Sequence, residues 1–163
     1  MSGKLTRLWY ALKKRLIFRL INFWPPYLGS GIRVTRLDPE GGVAEVRMKL
    51  RWWNRNYVGT HYGGSLYSMC DPFFMLILIE KLGRRFIVWD KRASIRFRRP
   101  GRSTVFARFE VTSEEVEAIR AEAIRDGKAE RTFVVQVIDD EGQTVAEVEK
   151  LIHVKKDRKK KRV

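Results

Sequence analysis

One cysteine, Cys70, stands among 163 residues. No disulfide can form within the chain, and a reducing compartment is the expected setting. Long apolar runs are missing as well. No stretch reaches about 18 clean apolar residues, which excludes a membrane-spanning helix. Histidine is scarce, with only His61 and His153. No cluster has metal-ligand spacing, so neither a metal nor a cofactor is expected. Near the start, Lys13, Lys14, Arg15 and Arg19 interrupt the apolar run that a signal peptide would keep unbroken, so a cytoplasmic location is expected. The two ends are poor in acid. Residues 1–24 carry six basic residues and no acid, and residues 155–162 carry seven basic residues against one acidic. These segments hold most of the net charge of +15. The body between them is nearly balanced, and no nucleic-acid-binding motif appears in it, so a nucleic-acid partner is not expected.

What is present is enough for one folded domain, with 44% of residues apolar and no linker to divide it. Residues 4–23 have helical periodicity, and Pro25-Pro26 is expected to end that helix. Strands are expected over 31–38 and 43–50, joined at Gly41-Gly42, and over 86–99, 103–112, 130–140 and 143–154. A short helix over 113–126 has a capping box from Thr112 and Glu115, and Gly127 is placed to end it. A helix over 63–82 is apolar on all sides, which requires enclosure by other structure. The reading is an α+β domain, an antiparallel sheet wrapped around one central apolar helix. An N-terminal amphipathic basic helix (1–24) precedes the domain (25–154), and a disordered basic tail (155–163) follows it.

The segment from Asn56 to Asp71 concentrates the chemistry. Gly63 and Gly64 open the enclosed helix, where backbone N–H groups precede the first intrahelical bond and can stabilise an oxyanion. Asp71, seven residues after Gly64, is an ionisable group in an otherwise apolar stretch. Cys70 reads as a small buried hydrophobe. Ser65 reads as a helix-start residue with no base in view, and together with His61, Tyr62 and Gly63 it is a further candidate for a catalytic or substrate-orienting role. On a strand over 93–98, Arg92, Arg96 and Arg98 share one face. Such a row suits phosphate groups, or it is a solvated outer face.

These residues resemble the hotdog-fold thioesterases of the phenylacetyl-CoA type, and an uncharacterised branch of that superfamily more closely still. That group has Asn, five residues, His-Gly-Gly, then an acid seven residues after the second glycine. Asn56, Gly63, Gly64 and Asp71 match it at every spacing. The resemblance covers about residues 30–154. It implies hydrolysis of an acyl-CoA or acyl-carrier-protein thioester, with coenzyme A present only as part of the substrate. The carbonyl would sit against the Gly64 amide. Asp71 of the opposite subunit would be base or nucleophile, and Asn56 would orient water or substrate. A homodimer or dimer of dimers is implied. One departure stands out: the family histidine position is Tyr62, and His61 comes one residue earlier, so His61 either replaces it or is a loop residue. Arg92, Arg96 and Arg98 would be the coenzyme A phosphate contacts.

The rival reading is a non-catalytic acyl- or lipid-binding hotdog module, held on an anionic membrane surface by its basic ends. The first helix could equally pack on its own domain. A hotdog dehydratase fits less well, because its chemistry pairs a histidine with an acid and the histidine here is displaced.

Overall fold

The structure, a computed structural model, describes residues 20–157. The expected helix over 4–23 therefore lies mostly outside the described residues. Its end is a single 3₁₀ turn, Ile21–Phe23. Helix α1, Pro25–Ser30, follows at once. The two prolines end the preceding segment as expected, with Trp24 extended between them and the turn. They also start a new helix, because a proline's missing N–H costs nothing in the first turn. Gly31 closes α1 with φ 72°, a left-handed conformation that glycine adopts freely.

The strands are β1 (Ile32–Asp38), β2 (Val43–Met48), β3 (Phe86–Phe97), β4 (Val105–Glu110), β5 (Lys128–Asp139) and β6 (Thr144–Lys156). They form one antiparallel sheet in the order β1-β2-β4-β5-β6-β3. Strand β6 runs two residues into the segment expected to be tail, since Lys155 pairs with Ile87 and Lys128. The β1–β2 turn forms at the expected glycines. Gly42 has φ 81°, and an added Cβ there would strike the Val111 carbonyl. The β4–β5 ladder covers only Val105–Ala107 against Val137–Asp139, after which the strands part. A cleft of about 480 Å³ opens at this seam, lined in part by Phe106, Val134 and Ile138.

The enclosed helix is two helices. Helix α2 spans Gly63–Ser68 and α3 spans Phe73–Leu82. Pro72 breaks the continuous helix expected over 63–82, because it has no N–H to give the Ser68 carbonyl. The chain crosses the gap with tighter bonds, Cys70 N–H to Tyr67 O (2.8 Å) and Asp71 N–H to Ser68 O (3.3 Å). Both helices pack into the sheet as foreseen. Phe73, Phe74, Ile77 and Leu78 are buried against Phe109, Phe133, Val148 and Ile152. Helix α4, Ser113–Arg125, carries the expected capping box, with Thr112 Oγ1 accepting from the Glu115 amide at 3.2 Å. This is the hotdog architecture, with the sheet wrapped around the α2–α3 pair.

Candidate active site

Tyr62 caps α2, and its carbonyl accepts the amides of Ser65 (3.0 Å) and Leu66 (3.1 Å). The Gly63 and Gly64 amides precede that first bond. Aromatic rings cover both positions. A Cβ on Gly63 would lie 2.8 Å from the Phe97 ring, and one on Gly64 would lie 2.5 Å from the Tyr62 ring. A side chain at either position would have to displace an exposed ring, Phe97 or Tyr62. Ser65 is buried, its hydroxyl turned to Ser30 Oγ at 3.3 Å.

A cleft of about 470 Å³ opens at the head of α2. Asn56, His61 and Gly63 line one part of it, and Arg98, Arg99 and Arg102 line another. Asn56 spends its whole amide on the loop. Its Nδ2 donates to Thr60 Oγ1 (2.9 Å) and His61 O (3.3 Å), and its Oδ1 accepts from the Val58 (3.1 Å) and Thr60 (3.0 Å) amides. In this arrangement Asn56 shapes the loop that carries His61. His61 is buried, and its Nε2–H donates to the Ser103 carbonyl at 2.8 Å. Nδ1 is then the ring's acceptor, and it has no partner among the described residues.

Burial holds the His61 pKa below its ordinary value, against a smaller opposing effect of the Ser103 bond. The folded value therefore lies below the unfolded one of about 6.5. The corresponding stability is complete above about pH 6.5 and is lost as pH falls through the folded value. In urea titrations from about pH 7 to about pH 5, His61→Gln should lose stability less steeply than wild type. Equal slopes would clear His61 of that role.

Asp71 lies in the α2–α3 break, outside this cleft. Its Oδ1 accepts from Tyr67 Oη (3.1 Å) and from Lys150 Nζ (2.9 Å), and its backbone carbonyl, released by the break, accepts from the same Nζ at 2.6 Å. The Asp71 side chain is 49% exposed, and Lys150 is 0% exposed. Lys150 also pairs with Asp90 on β3. Burial works to lower the Lys150 pKa, but its bonds to Asp90 and Asp71 outweigh that and raise it. Cys70 beside this cluster is buried, and burial pushes its thiol up, away from nucleophilic use.

Of the arginines read from sequence, only Arg98 reaches the cleft, and it also pairs with Glu147 at 3.3 Å. Arg92 pairs with Glu149 at 3.8 Å on the exposed side of β3, where Arg96 also lies. Arg99 and Arg102 were missed, although both belong to the Pro100-Gly101 turn beside Arg98. Lys150 was missed too, and its signal was in the sequence. It holds an inward position of β6, in register with Ala146, Val148, Ile152 and Val154. Among the described residues no group of histidine, cysteine and acidic side chains could hold a metal ion.

A family model described as a domain of unknown function, DUF4442, matches residues 13–154. The chain belongs to that family. No curated protein matches the sequence. Among solved structures, a Pseudomonas aeruginosa protein of unknown function, PA5026, described as a probable thioesterase, is 27% identical with a TM-score of 0.76, over 88% of this chain and 95% of that one. The Haemophilus influenzae thioesterase HI1161 is 13% identical with a TM-score of 0.61, over 85% and 87% of the two chains. The Escherichia coli PaaI protein of the phenylacetic acid degradation operon is 22% identical with a TM-score of 0.55, over 76% and 79%. The last two likenesses are of fold, and they agree with the hotdog architecture described above.

Proposed function

We propose that the protein hydrolyses acyl thioesters of coenzyme A or of an acyl carrier protein, at sites built between two subunits. The observation that carries this reading is a division of labour. The cleft at the head of α2 is lined by Gly63, which adjoins Gly64 in the chain, by His61 and by three arginines, but no acid lines it. The carboxylate that could activate water, Asp71, stands half exposed in the α2–α3 break and does not line that cleft. One chain thus offers each half of a site, and a second copy would join them. The likeness to PA5026, described as a probable thioesterase, supports the same reaction class.

The chemistry follows from the parts. The thioester carbonyl lies against the Gly64 amide, which stabilises the oxyanion as it forms. Asp71 of the second subunit takes a proton from water, whose oxygen attacks the carbonyl carbon. The tetrahedral species collapses, the C–S bond breaks, and the thiol leaves with the proton that Asp71 returns. Lys150 and Tyr67 hold Asp71 through Oδ1, leaving Oδ2 without a partner among the described residues. Arg98, Arg99 and Arg102 suit the phosphates of the carrier. The test is a panel of acyl-CoA and acyl-carrier thioesters, with thiol release followed by a colorimetric reagent. Turnover of at least one member is expected, and no turnover across all chain lengths would reject the proposal.

A further inference from the structure

Residues 46–70 contain no acid and hold Arg47, Lys49, Arg51 and Arg55. Within them, the loop between β2 and α2 turns its largest apolar side chains to solvent. Trp52 is 77% exposed, Trp53 46%, Val58 70%, and Tyr57 wholly exposed. Single apolar residues on a surface are ordinary, but four on one eight-residue loop are not.

The exposure is built in. The two inward side chains of the loop are asparagines. Asn54 is 5% exposed and donates to Ser30 O and Lys49 O, both at 2.9 Å, while accepting from the Arg51 amide at 2.7 Å. Asn56 closes the next turn through the four bonds described above. The outward side chains are two tryptophans, a tyrosine, a valine and two arginines, held on a braced backbone. The Arg51 guanidinium lies 5.1 Å from the centre of the Trp53 ring, and the Trp52 and Trp53 rings meet edge to face at 5.5 Å.

This combination has a preferred environment. Tryptophan and tyrosine settle at the headgroup level of a bilayer, where the ring is half wet, and arginine binds phosphate. A second copy of the chain seated on this loop by a two-fold axis would bring Arg51 and Arg55 against their own equivalents, a repulsive arrangement. A surface of anionic phosphate is complementary to them. We propose that the loop 51–58 docks the protein on an anionic lipid surface, with Trp52, Trp53, Tyr57 and Val58 entering the headgroup region and Arg51 and Arg55 on lipid phosphates. Val58 also lines the cleft, together with Arg98, Arg99 and Arg102. Docking therefore sets the cleft mouth at the membrane. If the thioesterase reading holds, the acyl product is released where it can enter the lipid, but the docking does not depend on that reading.

The test uses the full chain and sedimentation with vesicles of phosphatidylcholine, with and without phosphatidylglycerol. The wild type should partition onto the anionic vesicles, less at high salt, and lipids brominated near the headgroup should quench its tryptophan emission. Trp52→Ser with Trp53→Ser should weaken partitioning about tenfold or more, by the apolar area no longer buried, and should remove most of the quenching. Arg51→Gln and Arg55→Gln should each weaken it about fivefold at low salt. These side chains are exposed, so thermal melts of the variants should match wild type. Equal binding by the tryptophan variant would overturn the proposal, since the charge of the chain ends would then suffice. No binding at low salt would overturn it as well. So would a drop in oligomeric state of the tryptophan variant, or quenching by coenzyme A in place of lipid.

Discussion

Mixed in equal amounts and allowed to reassort, Asp71→Asn and Gly64→Val chains should recover about a quarter of wild-type turnover, although each variant alone is nearly inactive. Asp71→Asn preserves shape and removes the base, which should lower kcat about 100-fold or more. Gly64→Val leaves a helical backbone conformation but drives a branched side chain against the Tyr62 ring, whose edge already lies 2.5 Å from a Cβ placed there. In the proposed mechanism the carbonyl must reach the Gly64 amide, and the bulk added beside that amide should exclude it. Random pairing makes half of the dimers mixed. Each mixed dimer carries one site with both defects and one with neither. Recovery therefore reports directly that the acid and the amide come from different chains. If both came from one chain, every site would carry a defect and the mixture would stay as inactive as its parents.

The second large effect concerns Lys150. Replacing it with methionine should cost about 1–3 kcal/mol of stability, less than for a fully buried pair, because the carboxylates left behind are partly solvated. Asp71, 49% exposed, and Asp90, 25% exposed, share this one ammonium. For a chain of this size the loss should appear as a fall in Tm of roughly 5 °C. The comparison that isolates the cause is Lys150→Met combined with Asp71→Asn and Asp90→Asn. Removing all three charges together should recover most of the loss, because a buried ion group replaced as a whole is often close to neutral. A Lys150→Met protein as stable as wild type would show that the cluster carries no such burden.

Much of the architecture was legible because its signals are local. Alternation in Val43–Met48 and Val105–Glu110, glycines at 41 and 42, and the Thr112–Glu115 box each specify their element without help from the rest of the chain. The α2–α3 break was equally local, since Pro72 cannot complete a helical bond, yet the continuous apolar character of the segment hid it. The halves of the site differ in the same way. Gly63 and His61 are close in sequence and line one cleft, and Gly64 follows Gly63 in the chain without lining it. Lys150 is 79 residues from Asp71. Only the β6 register shows that Lys150 points inward, beneath the break. Arg99 and Arg102 were lost to a strand-face argument, because they reach the cleft from a turn where period-two reasoning does not apply. Asn56 matched a spacing, but its four hydrogen bonds show a residue committed to loop geometry.

The short β4–β5 ladder has a consequence for how the molecule comes apart. With pairing limited to Val105–Ala107 against Val137–Asp139, β1-β2-β4 and β5-β6-β3 are two leaves stitched at one end. Cooperative units of a fold tend to separate where few backbone bonds cross between them. Slow native-state opening should then proceed like a book along this spine, and deuterium should reach the amides flanking it well before those at the centre of the long β5–β6 ladder.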